Sequence, residues 1–231
     1  MKMCVFALVI IVAIAFTSDD IVLNGSNHTE GCSPLGIDGT AYSQTWDVAN
    51  ATHGVSIYGA GDRWACDDFV LIGDWELNQI VIWMIWTGEM GEGMNVVFAE
   101  DDGSQDPNNA TVVWSEAVPA ANVFADEWES SGGTLYDVYE FTGTISADAY
   151  PVLSDGVTYW MQIQADVVDN CFVMLFDNVI GSTVWYNDGS GLWVSTIDHP
   201  DMGWSTDMFF DLYGECTAFE SSTWGDIKSL F

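Results

Sequence analysis

From Ala41 to Cys216 no stretch sustains an apolar period near 3.6 residues; short apolar runs are instead broken at short intervals by Gly, Asp, Asn or Pro. A helix needs an apolar stripe at the longer period and a strand needs alternation, so this texture confines the chain to strands and turns. Strands are expected at 55–58, 68–72, 77–86, 95–99, 111–117, 135–142, 157–165, 171–176, 183–186, 192–195 and 208–213. Val157, Tyr159, Met161, Ile163 and Ala165 alternate with Thr158, Trp160, Gln162 and Gln164, the pattern of a half-buried strand. Ile80 to Trp86 is apolar on both faces and reads as a central strand covered on both sides. Many short strands with regular turn signals predict an all-β fold, an antiparallel β-sandwich over residues 41–216.

The ends differ from this body. Lys2 precedes an apolar run over residues 4–16, with Ala13 and Ala15 forming an A-x-A site ahead of Thr17, Ser18, Asp19 and Asp20. A positive start, a short apolar run and small residues describe a secretory signal peptide at 1–15, and the run is shorter than the roughly 20 residues of a membrane span. The expectation is a secreted or cell-surface protein with no membrane span after cleavage. Residues 16–40 are a polar leader. In the tail, 217–231, Phe219, Thr223, Ile227 and Leu230 fall on one helical stripe, and Thr223 with Asp226 has capping-box spacing. A short C-terminal helix is expected, packed on the sandwich or serving as a surface-sorting or docking tag.

Signal removal takes Cys4 and leaves Cys32, Cys66, Cys171 and Cys216, which in an exported protein suggest two disulfides with three possible connectivities. A Cys66–Cys216 pair would fasten the first sandwich strand to the last. No C-x-x-C spacing exists and the three histidines are scattered, which argues against a thiolate zinc site.

Charge sets the medium and removes one class of partner. Thirty-five acidic side chains face three basic ones (Lys2, Arg63 and Lys228), a net charge of −32. Phosphate contacts need clustered Lys and Arg, so nucleic acid is excluded. Disorder is excluded too, because 49% of the chain is apolar and it holds 12 Trp and 12 Phe. A surface of one sign repels itself unless salt screens it or divalent cations neutralise it, so a saline or calcium-rich exterior is expected.

Three stretches together, Ala65 to Phe69, Thr158 to Ala165, and Thr206 to Gly214, resemble the start, a late strand and the closing strand of jelly-roll-like modules of secreted bacterial surface proteins. The resemblance covers residues 41–216 and implies a bacterial exported jelly-roll-type β-sandwich; it carries no catalytic residue. Trp224 to Lys228 is similar to tails of some such proteins. Cys66 and Cys171 are not part of that pattern.

Three constellations suggest chemistry. Glu100, Asp101, Asp102 and Asp106 crowd one turn, and hard oxygen ligands suit Ca²⁺. The turn is no EF-hand, since Phe98 and Asn109 stand where its first and last ligands belong. In so acidic a chain any loop resembles a metal site. Trp185, Tyr186, Trp193 and Trp204 lie in a Gly-, Asp- and Asn-rich stretch and form either a platform for sugar rings or, by alternation, part of the core. Glu127 and Glu129, two apart on one strand face, are a minimal glycosidase pair without the E-x-D-x-x-E pattern a sandwich glycosidase would carry. G-x-S-x-G, H-E-x-x-H and phosphate-loop motifs are absent. Asn24, Asn27, Asn50 and Asn109 lie in N-x-S/T sequons, which matter only in a glycosylating host. The sequence points to a non-catalytic surface or matrix module with a structural or adhesive role toward surface proteins, with polysaccharide binding through exposed Trp as the alternative and glycoside hydrolysis a distant third.

Overall fold

A computed structural model describes residues 39–217, apart from 45, 88–90, 167–170, 178 and 180. The expected signal peptide, most of the leader, Cys32 and the helical tail lie outside the described residues. Within them the chain is all-β, and most of its strands overlap the expected apolar runs. The first are Gly39–Gln44 (β1), Ala51–Ser56 (β2), Trp64–Val70 (β3), Trp75–Trp86 (β4) and Gly93–Glu100 (β5). Thr111–Glu129 (β6) and Leu135–Thr144 (β7) form a long hairpin, followed by Val152–Leu153 (β8), Thr158–Ala165 (β9) and Cys171–Phe176 (β10). Trp185–Asn187 (β11), Val194–Ser195 (β12), Asp207–Met208 (β13) and Phe210–Cys216 (β14) complete the set. Among the described residues no helix is long and apolar enough to cross a membrane.

These strands make one curled antiparallel sheet in the order β1-β14-β4-β7-β6-β5-β9-β3-β11-β12. β10 joins β4 and carries β2 and β13, while β8 adds to the start of β4. The curl is made by β6. Its first part, Thr111 to Pro119, pairs with β5, and its second, Ala120 to Glu129, pairs with β7. Pro119 has no N–H to continue a ladder, so the change of partner falls where the first ladder must stop. At this corner Val118 turns inward against Gly143, where an added Cβ would lie 2.9 Å from Val118 Cγ1.

The curl brings two halves of the sheet face to face over one core. Tyr42, Ile80, Ile82 and Phe210 come from one half, and Phe69, Val96, Phe98 and Met161 from the other. Phe69 meets Tyr42 at 5.5 Å, Phe98 at 5.8 Å and Phe210 at 6.0 Å between ring centroids. As its pattern requires, β4 is covered on both sides. Ile80, Ile82 and Met84 face the main core, while Val81, Trp83 and Ile85 pack with Val138, Met174 and Phe209 in a second cluster. β9 departs from its half-buried pattern: Trp160, on the outward face, is fully buried with Cys66 and Ala99 in a third cluster.

The cysteine scheme is corrected. Cys66 and Cys171 are free, buried thiols. Alternation along β3 sends Ala65 and Phe69 into the main core and Cys66 outward to Trp160. Cys216 packs against the main core, on the other side of that strand, so the Cys66–Cys216 pair does not form. Cys171 sits in the main core with Sγ 3.6 Å from Met84 Sδ. Burial pushes both thiols up, and at Cys66 the neighbouring Asp67 and Asp68 push further. Cys216 is disulfide-bonded.

Candidate functional site

The four predicted aromatic residues do not share one surface. Trp185 and Trp193 pack over the Cys66, Ala99 and Trp160 cluster, with Trp185 edge-on to Trp160 at 6.2 Å. Tyr186 points the other way and is 4% exposed. Burial pushes its phenol up, against the pull of the Arg63 guanidinium charge. Arg63, the only Lys or Arg among the described residues, also lies 5.0 Å above the Tyr58 ring.

The acidic turn after β5 spends its carboxylates on its own backbone and on this outer cluster. Asp101 Oδ1 accepts the Trp160 indole N–H at 3.1 Å, and Oδ2 accepts Gly103 N–H at 2.9 Å. Asp102 accepts Ser104 N–H at 2.9 Å, and the Ser104 hydrogen bonds hold its carboxyl below the usual range. Asp106 accepts Asn108 N–H at 2.9 Å, and Asn108 clamps the Trp193 backbone with bonds of 2.9 and 3.0 Å. Glu100 is exposed at the strand end. Among the described residues no three His, Cys, Asp or Glu side chains converge as a metal-holding group. The turn is a lid over Trp160. Glu127 and Glu129 are both exposed on β6, on either side of Trp128, and neither lines a hollow described here.

Trp204 alone reaches a cleft. It stacks on His53 of β2, with ring centroids 4.0 Å apart and planes at 29°. His53 Nδ1 lies 3.5 Å from Asp177 Oδ1, which also accepts the Thr52 hydroxyl at 2.8 Å. A second ring pair comes from the β6–β7 hairpin. Trp128 and Tyr136 are direct cross-strand neighbours, stacked at 6.1 Å, and the Trp128 indole N–H donates to the Ala51 carbonyl at 3.0 Å. Both pairs line one hollow of about 360 Å³, with Ile85 and Phe172 supplying apolar wall and Ser130 and Ser131 hydroxyls. Aromatic walls with a few polar groups are the usual make-up of a small-molecule site. A second hollow of about 500 Å³, lined by Asn78, Gln79, Tyr150 and Tyr213 among others, carries no indole. There Tyr213 donates to Asp211 at 3.1 Å, and burial with the Asp211 charge pushes its phenol to about 12.

His53, Trp128 and Tyr136 are site residues that sequence reasoning missed. The Trp128–Tyr136 pair had a signal, since both flank the Ser-Ser-Gly-Gly turn of a hairpin. His53 had none, because the segments that meet here, Thr52 and Asp177, lie 125 residues apart. No protein-family model matches the chain, and no curated protein matches it.

Proposed function

We propose that this is an exported, non-catalytic surface or matrix module, a jelly-roll-type β-sandwich, whose adhesive role is to hold carbohydrate in the cleft between Trp204 and Trp128. One observation carries the reading: two stacked ring pairs, Trp204 on His53 and Trp128 on Tyr136, share one hollow with hydroxyl groups. The curled antiparallel sheet with a core between its halves supports the sandwich architecture. Salt or calcium of the exterior medium, offsetting the −32 charge, belongs to the same proposal.

The test is binding of the mature chain to a glycan array and to insoluble polysaccharides in high salt. Trp204→Ala and Trp128→Ala are each expected to weaken binding by about tenfold or more, a loss of about 1.4 kcal/mol. Trp193→Ala, in the other aromatic group, should leave binding unchanged. Loss with Trp193→Ala alone would move the site to the outer cluster.

A purely structural reading has one observation in its favour. Val123, Phe124 and Leu135 of the β6–β7 hairpin are 65%, 53% and 61% exposed, and β6 after Pro119 pairs on one side only. Exposed apolar edge strands invite pairing with other chains. Absence of glycan binding, with self-association lost on Phe124→Lys, would favour that role.

A further inference from the structure

We infer that the cleft is built for two adjacent uncharged sugar rings, and not for a long chain or an acidic glycan; the inference rests on the carbohydrate reading above. Its volume of about 360 Å³ stands at the small end of ligand sites, which run from about 300 to 1,000 Å³. The occupant is therefore short.

The stacking surfaces come as two separate pairs. Trp204 lies on His53 and Trp128 on Tyr136, each fixed by its own contacts. His53 is set by β2 pairing with β10 and by its stack on Trp204, while Trp128 is tied through its indole N–H to Ala51. Rings held this firmly lose little side-chain freedom on binding, which favours recognition of one sugar by each pair.

Charge excludes the acidic class. Among the described residues no Lys or Arg lines the cleft, and the His53 imidazole already faces Asp177, a 58% exposed carboxylate. Arg63, the only other described cation-forming side chain besides the histidines, lies against Tyr58 and does not line the cleft. A uronate or sulfate would meet no Lys or Arg among the described lining residues, in a chain that carries −32. Uncharged hydroxyls find Ser130 and Ser131.

The experiment is calorimetric titration of the mature chain in about 1 M NaCl, where screening is short. The probes are gluco-, manno- and xylo-oligosaccharides of one to six rings, with oligogalacturonates as the acidic series. In the neutral series that binds, affinity should rise about tenfold from one ring to two and change less than about twofold beyond. Trp204→Ala and Trp128→Ala should each return the two-ring affinity to the one-ring value. Trp204→Phe, which keeps a ring over His53, should retain part of the gain and show that the loss is not misfolding. Affinity that climbs steadily to six rings, or an oligogalacturonate that binds as tightly as the neutral series, would overturn the inference while leaving carbohydrate binding intact. Absence of binding by every series would remove the carbohydrate reading and this inference with it.

Discussion

Asp67 places a carboxyl group on the inward face of β3, between Ala65 and Phe69, with no exposed surface. Its oxygens accept the Met208 backbone N–H at 2.8 Å and that of Asp68 at 3.0 Å, so the side chain fastens β3 to β13. Burial pushes its pKa well above the carboxylate range; the charges of Asp207 and Asp68 add to this, and the two backbone N–H groups only partly offset it. A carboxyl raised in this way keeps its proton longer in the folded protein than in the unfolded chain. Its contribution to stability is therefore complete below about pH 3.9, the unfolded value, and is lost as pH rises through the raised native value. Urea unfolding at a series of pH values should show the native protein losing stability between acid and neutral pH more steeply than Asp67→Asn. Self-repulsion of the acidic surface acts in the same direction on both proteins, so the difference in slope reports Asp67 together with its coupling to Asp207 and Asp68. Equal slopes would mean that Asp67 titrates as an ordinary carboxylate.

The strand that shapes the molecule is β6, and two glycines, one at its corner and one on β14, allow close approaches within the sheet. Gly143 on β7 faces Val118 at the corner, and Gly214 on β14 sits at a register shift where an added Cβ would press into the Glu76 carbonyl oxygen. Gly143→Ala should cost about 1–3 kcal/mol, the usual range for overpacking, because Val118 can shift. Gly214→Ala should cost more, because backbone cannot give way as a side chain can. Thermal melts that rank the two in the reverse order would contradict this account of the β14–β4 ladder. Most strands stand within a few residues of where alternation and turn residues place them, since both signals are local. The continuation of β6 beyond residue 117 was not legible. Pro119 reads as the end of a strand, and only a new partner, β7, carries the backbone on.

Across the whole molecule, stability is set against a net charge of −32, with Arg63 as the only described Lys or Arg. Raising NaCl shortens the screening length from about 10 Å at 0.1 M to about 3 Å at 1 M, so the melting temperature should rise steadily with salt. For a chain of this size each kcal/mol gained moves it by about 2–4 °C. Calcium chloride at matched ionic strength tests for bound cation: a further rise abolished by chelator supports a calcium role, and equality with NaCl removes it. The all-β antiparallel class, the placement of most strands and the double burial of β4 were determined by the sequence alone, because each depends on the period of neighbouring residues. The grouping of aromatic side chains was decided only by the tertiary structure. Trp185 and Trp193 went to the cluster around Trp160, while Trp204 went to His53, Trp128 and Tyr136. Those partners come from distant segments of the chain, and strand order, which no local period encodes, determines which of them meet.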